Sequence, residues 1–470
     1  MGRLRSASLP ALLLVSFWLQ SVAGQALAQS GPGLRPFRYD EDYSSFADPA
    51  RRSVLLAPLK YIGLGDNAYL SLGAELRERF EMIDNPGFAA GLPAGAPTDN
   101  HYLLQRLLLH GDLHLGEHLR AFVQLGRFDA FDARHGSVGA TQQNRGDLVQ
   151  GFVDVSVAAG EGGRLTLRGG RQEMGFGSGR LISERDGPNL RRAFDGGRAM
   201  LTLPDGKLDL FLLRPVRPLG GSFDDSSNDQ EAFWGSYATL PLMPGLSLDA
   251  YYLGYERAGA RFAQGTGFEQ RHTVGSRLAG RGGGWDWDLE AAYQFGAFGT
   301  AKIQAWTAAS DIGFTLAALP WKPRLGVKAN IASGDADPHD GKLGTFNALY
   351  PKVPYFTEAG LVAPANLIDA YPSLRLQPSD AVTLEMGWDV LWRQREADAF
   401  YRPVPFTPLA RTAGQGNRFI GHQMQASLRW QLSPNLEWRA WYVHFDAGPT
   451  ITRAGGRDVD FLATSLAFRF

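Results

Sequence analysis

Between residues 164 and 198 eight arginines occur, at positions 164, 168, 171, 180, 185, 191, 192 and 198, against four carboxylates, Glu173, Glu184, Asp186 and Asp195. A guanidinium is a planar fork of donors that matches a carboxylate bidentately, so this segment suits capture of a uronate or another organic anion. Spaced along a path, several moderate sites admit the ion and let it move on. The segment also holds Gly175, Gly177 and Gly179 ahead of Arg180. It has neither GxGxxG spacing nor a closing Gly-Lys-Ser/Thr, so it is not a nucleotide loop.

Two other constellations could do chemistry. His110, Asp112 and His114 alternate along the chain, which puts them on one face of a strand as a metal or acid–base set. Two imidazoles and one carboxylate fall short of a complete metal site, and no serine is paired with a histidine base. The run GDADPHDG at 334–341 gathers Asp335, Asp337 and Asp340, a possible calcium set in an outer loop. The EF-hand spacing and its closing Glu are missing, and the plain alternative is an acidic turn. No other cofactor is expected.

The elements that position these residues follow from the rest of the chain. MGRLRSASLP, an apolar run from Leu12 to Val22 and Ala26-Leu-Ala28 have the order of a secretory signal peptide over 1–28. No later apolar run reaches the roughly 18 residues of a helical membrane span. There is no cysteine, so no disulfide framework, and the net charge of −1 gives no field for nucleic acid. Yet the chain carries 57 glycines, 11 tryptophans and 28 phenylalanines, the mixture of a barrel that alternates lipid-facing and water-facing residues.

That alternation recurs. Val382, Leu384, Met386, Trp388 and Val390 interleave with Thr383, Glu385, Gly387 and Asp389, and Trp285, Trp287, Leu289 and Tyr293 with Asp286, Asp288 and Glu290. Runs of about ten residues with period two fit tilted strands that cross a bilayer. Short Pro/Gly/Asp/Asn turns alternate with long segments such as 83–102, 129–146, 175–196, 215–230, 334–362 and 395–417. The reading is an all-β transmembrane antiparallel β-barrel of about 18 strands, with short periplasmic turns and long extracellular loops. Strands are expected at 68–82, 103–115, 119–128, 147–157, 163–174, 197–203, 207–214, 231–240, 246–256, 271–280, 285–296, 302–316, 322–333, 363–376, 381–394, 418–431, 435–446 and 459–470. Residues 29–67 then form a periplasmic N-terminal segment and 68–470 the barrel. The closing Leu462-Ala-Thr-Ser-Leu-Ala-Phe-Arg-Phe470 ends on an aromatic, which resembles the signal read by the barrel-assembly machinery of a Gram-negative outer membrane.

Parity places Arg77, Arg79, Arg106, Arg120, Arg168 and Arg393 among the inward residues, and the arginine-rich segment adds Arg171, Arg180, Arg185, Arg191, Arg192 and Arg198. Together they are the candidate conduit. Inward carboxylates such as Glu75, Asp112, Asp154, Asp209, Asp249 and Glu290 nearly balance them. Ion pairs along the wall are therefore the competing account, since unpaired lumenal charges are costly.

RQEMGFGSGRLISERDGPNLRRAFDGGR, SGDADPHDGKLGTFNALYP, PYFTEAGLVAPANLIDAYPSL and DVDFLATSLAFRF together resemble the alginate export porin family. The resemblance runs from FRYDEDYSSFAD near residue 37 to the C-terminus. It implies an eighteen-stranded outer-membrane barrel with an electropositive conduit for a polyuronate, and it maps the arginines of the first motif onto that conduit. The expected activity is passive transport rather than catalysis: export of alginate or a related acidic polysaccharide, with uptake of small organic anions or sugars as the alternative. Expected partners are outer-membrane lipid, the assembly machinery, the anionic polysaccharide or organic anion itself and periplasmic export components.

Overall fold

The structure is a computed structural model that describes residues 33–52, 54–91, 98–133, 138–403 and 406–470. The expected signal peptide lies outside the described residues.

The period-two segments form eighteen long antiparallel strands: Ala68–Asp84, Asp99–Leu115, Leu119–Phe131, Asn144–Ala158, Arg164–Glu173, Ala193–Leu203, Gly206–Arg217, Glu231–Met243, Leu246–Phe262, Gly265–Gly282, Trp285–Phe298, Ala301–Thr315, Arg324–Ala332, Leu367–Ser379, Val382–Trp392, Phe419–Ser433, Leu436–Ala447 and Val459–Arg469. Each pairs with its neighbour in sequence, and the first closes on the last with Glu75 opposite Arg469 and Asp84 opposite Asp460. Closure leaves no strand edge to face lipid unpaired. No helix among the described residues is long and apolar enough to cross a membrane.

Burial is inverted relative to a water-soluble sandwich. Val153 and Val155 are each 47% exposed while Asp154 between them is 4% exposed. Leu76, Phe80 and Met82 likewise point outward between buried Arg77, Arg79 and Glu81. Apolar side chains face where hydrocarbon would lie, and charges face the lumen.

Seven outer connections are long, the six named segments and 448–458. Two are not. The strands expected to end at 256 and 296 run on to Phe262 and Phe298 and turn over two residues each. Phe262 packs edge-on against Phe298 and Phe406 and lies beside Tyr401, so aromatic contacts join the ends of these two extended hairpins. One residue there has no freedom: Gly296 sits at φ +137, and an added Cβ would lie 2.0 Å from the Gln270 carbonyl oxygen. Gly296→Ala is expected to destabilise the barrel by about 1–3 kcal/mol, read as an earlier midpoint of heat unfolding on gels.

The lumen is not a simple aqueous bore. Leu181 and Ile182 from loop 174–192, and Phe346, Ala348 and Tyr350 from loop 333–366, fold inward against wall residues Phe194, Phe211, Phe233, Tyr237 and Tyr251. Parity alone presented a charged interior. The inward aromatics become a core because the long loops supply apolar partners for them.

Within the N-terminal segment, residues 37–41 pack against inward residues of the barrel wall. Tyr39 meets Phe122 and Phe152 edge-on, with centroids 6.1 and 5.5 Å away, and its hydroxyl donates to the Glu173 carbonyl at 2.9 Å. Phe122 and Phe152 stack on each other with 5.3 Å between centroids, and the tyrosine packs edge-on against this inward pair.

Candidate conduit and its arginines

The wall arginines resolve first. Asp154 stands directly opposite Arg168 on the neighbouring strand and accepts two hydrogen bonds from it at 2.7 and 2.8 Å. Arg120 makes the same fork to Asp112, Arg171 to Asp195, and Arg198 bonds Asp209 at 2.7 Å. Each of these four expected conduit residues is neutralised by a cross-strand carboxylate, as the competing account required. Arg393 lies elsewhere: it is fully buried in a cage of outer-loop carbonyls, donating to Asn417, Glu396, Asp398 and Thr412, and lines no chamber described below. The reason is local, since Arg393 follows the last residue of its strand, Trp392, and stands in loop 393–418.

The other arginines fasten loop 174–192 inside the barrel. Arg106 donates to Glu75 and to Asp186 Oδ1, both at 2.8 Å, and to the Asn189 carbonyl at 3.3 Å. Arg77 donates to the Asp186 and Pro188 carbonyls at 3.1 Å. From the loop, Arg180 crosses to Asp288 at 2.6 Å and Glu290 at 3.0 Å on the far wall. Burial acts to raise the Asp186 carboxyl, but Arg106, Arg191 and Arg77 hold it well below the usual carboxylate range. Arg79 pairs with Glu81 and stacks over Trp441 at 4.7 Å.

Two loop arginines are different. Arg185, at a left-handed φ of 56, is 9% exposed and its Nε has no hydrogen-bond partner. Burial, then the charge of Arg192, pushes this guanidinium down from its ordinary value to about 9. Arg192 is also pushed down by burial, against the pull of Tyr350 and Glu231, and stacks over Tyr350 at 4.9 Å with its Nη1 unpartnered. A buried, incompletely paired cation is costly, and an incoming anion relieves that cost.

These residues divide the path into two chambers. The outer one, about 250 Å³, has Arg171, Arg185, Arg191, Arg192, Arg217 and Arg257 against Asp225 and Glu231. The inner one, about 340 Å³, lies along the wall where the first and last strands meet, with nine cationic side chains, including Arg77, Arg79, Arg429, Arg439 and Arg469, against five carboxylates. A wider recess of about 830 Å³ at the short-turn end sets Arg277, Arg281, Arg324 and Arg375 against Asp286, Asp288 and Asp311, and is nearly neutral. Positive charge is therefore segregated to the first two. Among the described residues Arg191 alone lines both. Its guanidinium reaches Glu173 and Asp186, each at 3.1 Å, and donates to the Pro36 carbonyl at 3.1 and 3.2 Å.

Several of these cations escaped the sequence reading. Arg439 and Arg469 share the inward parity of their strands and could have been found by it. Arg35 and Arg38 precede the first strand, and Arg217, Arg257 and Lys352 lie at strand ends or in a loop, where parity carries no information.

The expected calcium set does not assemble. Asp335 is buried and accepts from Gln264 and the Gly344 amide, while Asp337 and Asp340 cap the His339 and Lys342 amides of an exposed turn. Asp337 and Asp340 are taken by their own turn, the plain alternative for this run, and Asp335 by Gln264 and the Gly344 amide. The one acidic group of three that converges among the described residues is Asp147, Asp224 and Asp225, and it is occupied by backbone amides. His110 stacks on Phe122 at 5.4 Å and His114 on Tyr69 at 4.4 Å, so the two imidazoles stand in different aromatic groups, and only His114 reaches Asp112, at 3.2 Å, a carboxylate already forked by Arg120.

Comparison with known proteins agrees with this architecture. The structure resembles OccK8 (OprE) and OccK1 (OpdK) of Pseudomonas aeruginosa. The first is 13% identical, with 85% of this chain and 98% of that one covered and a TM-score of 0.56; the second is 12% identical, with 87% and 100% covered and a TM-score of 0.57. OccAB2 of Acinetobacter baumannii is similar at 11% identity, 85% and 98% coverage and a TM-score of 0.56. At such identities the likeness concerns the fold alone, a closed β-barrel. No curated protein matches the chain. A family model described as "Alginate export" matches residues 68–465, which is nearly the whole barrel, and the chain belongs to that family, as an outer-membrane β-barrel channel.

Proposed function

We propose that this protein is a passive, non-catalytic channel for anionic solutes, whose first substrate is alginate or a related acidic polysaccharide moving outward. One observation carries the reading: two chambers with excess positive charge meet at Arg191. A carboxylate arriving from either side exchanges one guanidinium fork for the next without crossing a neutral stretch, and no single site holds it tightly. The alternative, uptake of small organic anions or sugars, draws support from the size of the chambers. At about 250 and 340 Å³ they suit one small acid at a time. A polymer requires the elements between them to move aside. Periplasmic export components would meet the short-turn face, where the neutral recess opens.

The test is a reversal-potential measurement in planar bilayers across a KCl gradient. Anion selectivity is the expected result, followed by block of the current by polyuronate and weaker block by a neutral glycan of equal length. Cation selectivity would sink the reading. Equal block by both glycans, with anion selectivity intact, would favour small acids over the polymer.

A further inference from the structure

We propose that the N-terminal arm, residues 33–41, is an autoinhibitory strap that closes the inner chamber and is released when a solute carboxylate takes Arg191. This rests on the conduit reading above and adds its regulation. The arm enters at the end of the barrel where Phe470 lies. Arg38 donates to the Phe470 carbonyl at 2.6 Å and the Ala74 carbonyl at 3.3 Å, and is held by Glu41 at 2.6 Å. Phe37 stacks on Tyr39 with 5.3 Å between centroids, Arg120 donates to the Tyr39 carbonyl at 2.5 Å, and Arg168 lies 4.5 Å over the tyrosine ring. From there the chain rises, so that Leu34, Arg35 and Pro36 form part of the inner chamber's lining.

Pro36 of the arm thus reaches the one residue that, among the described residues, is common to both chambers. Pro36 gives Arg191 a carbonyl oxygen across both Nη atoms, the position where a carboxylate would bind with a full charge. A charge-assisted fork is stronger than one to a neutral carbonyl, so an anion competes favourably for Arg191 and removes the attachment of Pro36. The remaining contacts, one tyrosine slot and the Arg38 bonds, then decide between docked and released arm. An equilibrium of that kind is shifted by a ligand that prefers one state.

The chain lacks cysteine, so one introduced thiol reports on the arm without background. The full-length protein and F37A/Y39A are compared as single channels, after heat-modifiable migration has shown both barrels to be folded. Open probability is expected to rise by about tenfold in the variant, with the anion-to-cation permeability ratio unchanged. In F37C, a membrane-impermeant maleimide is expected to react slowly, and faster when polyuronate is added. Unchanged open probability, or F37C labelling that is rapid without polyuronate, would overturn the strap. Cation selectivity of the unmodified channel would instead remove the conduit reading, while any gain in open probability would still register, so the two failures are distinguishable.

Discussion

Arg106→Leu is expected to cost the barrel about 3–5 kcal/mol, the usual penalty for removing one partner of a buried ion pair. Arg106 is fully buried and is shared by Glu75 on the first strand and Asp186 in the inward-folded loop. Leucine leaves Asp186 with Arg191 and the Arg77 backbone contacts alone, and leaves Glu75 with Arg469 alone. The loop therefore loses one of its attachments to the wall, those of Arg77 and Arg180 remaining, at the same time as two carboxylates lose a counter-charge. Unfolding by heat or urea in detergent micelles, followed by gel mobility, measures the loss. Arg127→Leu is the matched control: its pair with Asp129 is 62% exposed on the arginine side, and no measurable shift is expected. Equal midpoints for R106L and the native protein would show that the loop is held by its apolar contacts instead.

The second large effect is on selectivity. Arg191→Glu is expected to lower the anion-to-cation permeability ratio by about tenfold or more, since each 1.4 kcal/mol of altered interaction is a factor of ten. The new carboxylate would stand beside Glu173 and Asp186, both at 3.1 Å from the guanidinium it replaces, and would turn the joint between two positive chambers into a negative barrier. Arg191→Lys retains the charge but not the fork, and is expected to keep most of the selectivity while weakening polyuronate block. R192E is expected to act more weakly, because Arg192 lines only the outer chamber. A reversal potential unmoved in R191E would show that the ions take another path.

Much of the fold was legible because lipid imposes a strict pattern. A strand with hydrocarbon on one side and water or charge on the other must alternate, and Val153-Asp154-Val155 does so in the letters and in the burial. Strand positions followed closely, and the errors fell at the ends. The two hairpins reaching Phe262 and Phe298 were longer than expected because their last residues answer to aromatic packing against each other. The conduit was legible as a composition and not as a set of residues. Arg168 and Arg191 are the same kind of residue with the same apparent promise. Asp154 faces Arg168 across one ladder rung, whereas Arg191 stands between two chambers.

By itself, then, the sequence determined the closed barrel, its inward charges and the arginine-rich loop, since these depend on period, turn chemistry and composition, all local in the chain. Tertiary structure decided which arginines are neutralised, that the loop and the N-terminal arm occupy the lumen, and that Arg191 joins the two positive spaces. Those outcomes depend on which side chains are brought together from distant positions, such as Pro36 with Arg191 or Arg38 with Phe470. Electrostatic energy falls with distance and rises with burial, and neither quantity is written in residue order.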